Sequence, residues 1–115
     1  MKVTVALIEF NPRRNGQVVV NGFNVHVEGA NLIGSDKQVA WAEKIIADAV
    51  REVARNRFRK FPAAPAAEAV DAEIVKINEF FGEYMPKLAG TKATDWINVR
   101  DYGWEAISLM LRKVG

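Results

Sequence analysis

The first thirty residues are rich in β-branched residues and alternate polar with apolar from residue 23, after which apolar positions shift to spacings of three and four, so the chain reads as strands followed by helices. Lys2 to Phe10 is rich in Val, Ile and Thr, with Val3, Val5 and Leu7 on one face and Thr4, Ala6 and Ile8 on the other. Both faces are largely apolar, which predicts a central strand covered on both sides. Asn11 to Gly16 predicts a loop, because Pro12 removes a donor and Asn15-Gly16 supplies positive φ. Gln17 to Glu28 alternates from residue 23, with Phe23, Val25 and Val27 set against Asn24, His26 and Glu28. Within this run Asn21-Gly22 has the composition of a type I′ turn, which would place Val20 opposite Phe23 and Val18 opposite Val25. The pattern predicts a three-stranded antiparallel meander over residues 1–30. A single bulged strand paired with the first is the alternative.

Helical periodicity begins at Gly34-Ser35-Asp36. Ser35 is a good N-cap, and Gln38 three residues on completes a capping box. Val39, Ala42, Ile46, Ala49, Val50 and Val53 recur at helical spacing, and Trp41 with Ile45 widens the stripe. This helix should run over 35–60 and stop before Pro62. A short Pro/Ala linker leads to a second helix over 66–85, with Ala67, Val70, Ile74, Ile77, Phe81 and Tyr84 as its core stripe. The segment 93–113 is helical again. Gly103 costs about 1 kcal/mol in a helix interior, so one helix and two helices meeting near Tyr102-Gly103 both fit. The architecture is α+β: an N-terminal β-meander of two or three strands, then three or four α-helices, in one domain spanning 1–115.

Composition narrows the chemistry. The chain has 115 residues and no cysteine, which excludes a disulfide framework, Cys-ligated zinc, an iron–sulfur cluster and a thiol nucleophile. One histidine leaves multi-His metal sites without ligands. The apolar run after Lys2 is broken by Glu9 and by Pro12-Arg13-Arg14, so no signal peptide is expected. No stretch approaches the roughly 20 apolar residues of a membrane helix. The expectation is a soluble, cytoplasmic protein with no membrane contact.

The net charge of +2 hides two oppositely charged elements. Lys37, Lys44, Arg51, Arg55 and Arg59 form a basic stripe along the first helix, which has seven basic and four acidic residues between Asp36 and Lys60. The second helix carries Glu68, Asp71, Glu73, Glu79 and Glu83 against one Lys. A basic stripe suits an anionic partner, either a phosphate backbone or an acidic protein face. Solvated outer faces, or two helices facing each other, explain the same pattern. His26 with Glu9 or Glu28 has the makings of an acid–base pair, but no nucleophile or oxyanion-type glycine motif accompanies it. Glu79 and Glu83 are spaced for a hard cation and equally for plain exposure. Trp41, Trp96 and Trp104 have aliphatic neighbours three and four residues away, which predicts core anchors; stacking on a flat ligand is the alternative. No P-loop, GxGxxG, GxSxG, HExxH or EF-hand pattern occurs. No metal, cofactor or catalytic residue is expected.

Two stretches carry a family resemblance. Gly34-Ser-Asp-Lys-Gln-Val-Ala-Trp-Ala-Glu-Lys-Ile45 and Ala93-Thr-Asp-Trp-Ile-Asn-Val-Arg100 resemble small bacterial, plasmid and phage proteins. These have a G-S-x-K-Q-x-x-W-A-x-x-I helix start and a later A-x-x-W-I-D-x-R element. Asn98 stands where the pattern has Asp. The resemblance implies a mobile-element context and no particular reaction. It also suggests that Trp41 and Trp96 share a core, with Lys37, Gln38 and Arg100 at one rim. That rim is either a site or the set of bonds that seats the last helix on the first.

The expected function is therefore a non-enzymatic binding protein of a phage or mobile element that occupies a host protein or complex. A nucleic-acid-binding accessory protein using the basic stripe is the alternative, and a small-ligand receptor or enzyme would need a pocket. The open edges of a small sheet predict a homodimer.

Overall fold

The computed structural model describes residues 1–8 and 16–115. Strand β1 (Lys2–Leu7) pairs antiparallel with β2 (Phe23–Glu28), Val5 opposite Val25 and Thr4 opposite His26. Val3, Val5 and Phe23 are buried on the inner face, while Lys2, Thr4, Ala6, Asn24, His26 and Glu28 are exposed on the other. The expectation of a strand covered on both sides is corrected: two strands over helices have only one covered face. Glu9, Phe10 and the rest of the expected strand end and loop, through Asn15, lie outside the described residues.

The third strand does not form either. The Val18 amide donates to the Pro65 carbonyl at 3.0 Å, and the Ala67 amide donates to the Gly16 carbonyl. Residues 16–18 are thus tied to the linker before the second helix, and Val18 buries its side chain there instead of facing Val25. A type I′ turn needs positive φ at both central residues. Neither Asn21 nor Gly22 has it, and the Gly22 carbonyl instead accepts from the Ile8 amide at 2.9 Å, extending the β1–β2 ladder.

Helix α1 (Asp36–Phe58) starts at the expected capping box: the Ser35 hydroxyl accepts from the Gln38 amide, and the Gln38 side chain accepts from the Ser35 amide. Helix α2 (Ala67–Tyr84) begins without a side-chain cap and runs into a 3-10 turn, Met85–Leu88. The C-terminal segment divides into α3 (Ala93–Asn98), a 3-10 turn Arg100–Tyr102, and α4 (Glu105–Val114). Gly103, at φ 57 and ψ −128, makes the break, in a conformation that essentially only glycine adopts. The molecule is an α+β fold with a two-stranded antiparallel sheet followed by helices.

Helix α2 packs under β1 and α1 under β2 and against α3. Phe23 meets Phe58 with ring centroids 5.3 Å apart. Trp96 is fully buried, its indole N–H donating to the Thr91 hydroxyl, which in turn donates to the Leu88 carbonyl. At the free edge of β1, Asn78 of α2 closes a gap: its side-chain oxygen accepts from the Val5 amide at 2.7 Å, and its amide donates to the Val5 carbonyl at 2.9 Å. The two stretches that carry the family resemblance are seated on each other. Ile33 and residues 91–93 exchange backbone hydrogen bonds, and a Cβ on Gly34 would stand 3.1 Å from the Ala93 side chain.

Candidate functional site

The outer face of α1 carries the predicted basic stripe, but acidic residues lie within it. Asp48 and Glu52 stand three residues before Arg51 and Arg55 respectively, and they pair with them. Arg51 also donates its Nε–H to the Phe23 carbonyl at 3.2 Å, so it fastens α1 to β2. Among the described residues, Lys37, Lys44 and Arg59 have no carboxylate within ion-pairing distance. Pairs this exposed are worth little to stability. They do, however, dilute the field of the stripe.

The acidic helix is not uniformly solvated. Glu73 is only 4% exposed, receiving Arg57 Nε–H at 2.7 Å with Lys60 at 3.7 Å. Burial pushes its carboxyl pKa up. The hydrogen bond from Arg57 and the charges of Arg57, Lys60 and Lys76 more than reverse this, leaving the carboxyl below its ordinary range. This clamp joins the two oppositely charged helices, and Glu73 belongs to the interior.

Trp41 departs from expectation. It is 48% exposed and does not share the core with Trp96. Helical geometry explains this: Trp41 stands four residues after Lys37 and three before Lys44, on the solvent side of α1. The Arg100 guanidinium lies over its ring at 5.3 Å and is steadied by donating to the Ile97 carbonyl at 2.7 Å. Trp41, Lys44, Asp48, Glu52, Arg100 and Asp101 line a groove of about 340 Å³ floored by Ile45 and Ala49. Of the proposed rim, Arg100 and the stripe residue Lys44 reach this groove. Gln38 is held in its capping box.

Trp104, 46% exposed, is likewise outside the core. Following Gly103, it lines a smaller cleft of about 140 Å³ with Phe80, Val53, Ile107 and Arg57. The Arg100–Trp104 segment therefore crosses α1 between two clefts, with exposed Tyr102 in its middle. A third groove, about 270 Å³, has Arg55 and Arg59 over Phe58, Phe61 and Gly22. The exposed aromatics are what the sequence reading missed. For Trp41 the signal was its spacing from the two lysines.

His26 sits on the solvent face of the sheet, its Nε2 2.7 Å from a Glu28 oxygen, with both side chains largely exposed. Its other suggested partner, Glu9, lies outside the described residues. Among the described residues no three metal-ligating side chains converge, and no helix is long and apolar enough to cross a membrane. Compared with protein-family models, curated proteins and solved structures, the chain finds no match.

Proposed function

We propose that this is a non-enzymatic binding protein that works by protein–protein contact, through the face built from α1 and the Arg100–Trp104 segment. The observation that carries the reading is Trp41, an indole left half in water and held by Arg100 beside an open groove. Tryptophan, tyrosine and arginine are the residue types that dominate binding energy at protein interfaces, and this face presents Trp41, Arg100, Tyr102 and Trp104. Burial of the exposed indole by a partner supplies a driving force that the folded monomer leaves unused.

The groove carries both signs of charge, Lys44 and Arg100 against Asp48, Glu52 and Asp101. That mixture suits a protein surface better than a phosphate backbone, which three carboxylates would repel. The nucleic-acid alternative is further weakened because Arg51 and Arg55 are already engaged within the protein. The mobile-element setting, a host protein or complex as the partner, and a cytoplasmic site of action rest on the two stretches at 34–45 and 93–100.

A photo-crosslinking residue at Lys44, which lines the groove beside Trp41 and leaves the indole in place, should capture a discrete host protein, and the same residue at exposed Val75 of α2 should not. W41A should weaken binding of the captured protein by roughly 30-fold, the loss of a hot-spot side chain. Equal capture from both positions would sink the reading. Salt-sensitive duplex binding that is lost on reversing Lys37, Lys44 and Arg59 would replace it with the nucleic-acid function. Arg51 is a poor choice for that test, since it also anchors β2.

A further inference from the structure

The ladder between β1 and β2 determines which main-chain groups face outward. The bond from the Ile8 amide to the Gly22 carbonyl makes Ile8 and Gly22 a hydrogen-bonded pair. By alternation, Ala6/Asn24, Thr4/His26 and Lys2/Glu28 are bonded pairs, while Leu7/Phe23, Val5/Val25 and Val3/Val27 turn their main-chain groups away from each other. Two contacts agree with this: Asn78 meets the outward groups of Val5, and Arg51 meets the outward carbonyl of Phe23. The β1 edge is thus blocked at its middle. The β2 edge is closed at Phe23 by Arg51 and ends at Gly29, whose φ of 61 leaves the strand conformation. Between them, among the described residues, no hydrogen bond reaches the outward N–H and C=O groups of Val25 and Val27.

We propose that this open window on β2 pairs with the same window of a second copy, antiparallel about a two-fold axis at His26, to give a four-stranded sheet. The window is its own complement. In that register Val25 of each chain faces Val27 of the other, and the two exchange both backbone bonds, so all eight open groups are satisfied by four hydrogen bonds. The half-buried valine side chains cover one another on the inner face. On the outer face the Asn24 amide stands opposite the Glu28 carboxylate, a donor against an acceptor, and His26 stands opposite itself. A register shifted by one residue toward Phe23 would require a carbonyl that Arg51 already holds. A second copy is therefore a better fit than an arbitrary strand, and the edge is independent of the α1 face.

Light scattering across a concentration series tests this. The expected result is a mass that rises from 12.8 kDa toward twice that value. H26D, which places two carboxylates on the axis beside both Glu28 side chains, should return the mass to a single chain. Mixing H26D with H26K should restore the dimer, because only the mixed pair sets opposite charges on the axis. In the unaltered protein the Val25 and Val27 amides should exchange with deuterium more slowly as concentration rises, a readout that needs no variant. A single-chain mass at millimolar concentration, a dimer that H26D leaves intact, or exchange at these amides independent of concentration would each overturn the proposal.

Discussion

Replacing Asn78 by alanine tests whether a side chain can stand in for a neighbouring strand. Val5 is 2% exposed, and its outward amide and carbonyl are both met by the Asn78 carboxamide, at 2.7 and 2.9 Å. N78A strands one donor and one acceptor, each costing about 1–3 kcal/mol when buried without a partner. The expected loss is roughly 2–6 kcal/mol, a large part of the roughly 5–15 kcal/mol that holds a domain of this size together. Thermal melts should fall by roughly 8–24 °C, at about 4 °C per kcal/mol. Urea unfolding followed by far-UV circular dichroism gives the free energy directly. N78D separates the two bonds: a carboxylate still accepts from the Val5 amide but confronts the carbonyl with charge, so it should rescue little. E79A, one residue along on the exposed side, should stay within about 0.5 kcal/mol of the parent. An N78A protein as stable as E79A would refute the reasoning, as would an N78D protein more stable than the parent.

Two further outcomes follow from contacts described above. The lowered pKa of Glu73 means its clamp contributes fully above the ordinary carboxyl value of 4.5 and loses that contribution as pH falls through the lowered value. E73Q should therefore flatten the acid limb of a stability-against-pH curve, while R57A should cost about 1–3 kcal/mol at neutral pH, with Lys60 remaining as partial compensation; a parent curve with no acid limb, or one identical in E73Q, contradicts this. G103A should cost about 1–3 kcal/mol in urea unfolding purely through backbone strain, because an added Cβ meets nothing within 4 Å; a loss below about 0.5 kcal/mol would show that the α3–α4 junction has no need of glycine.

What the sequence disclosed was local. Ser35 and Gln38 meet across a single turn, so their spacing alone announced the capping box. Gly103 left one helix and two equally open, and its positive φ decides for two. Features set by distant partners were not readable. Val18 has strand-like neighbours, but its amide is claimed by Pro65, far along the chain, and no local alternation records that. Glu73 looked like one of five surface acids, yet its burial depends on Arg57 reaching across from another helix. Trp41 shows how hydrophobicity misleads when taken without phase: aliphatic neighbours suggested the core, while its spacing from Lys37 and Lys44 placed it on the wet side. Along α1 the cations are visible in the sequence, but the pairing of Arg51 and Arg55 with Asp48 and Glu52 is not. In the sequence those two carboxylates count only as part of a sum.

The uneven treatment of the three indoles gives the molecule its own optical gauge. Trp96, sealed and hydrogen-bonded to Thr91, should emit toward the blue and be shielded from dissolved iodide, whereas Trp41 and Trp104 should emit further to the red and be quenched readily. Denaturation and docking then leave different spectral signatures without any attached dye. Loss of the fold shifts the blue component, while occupancy of the groove shields a red one and leaves the blue untouched.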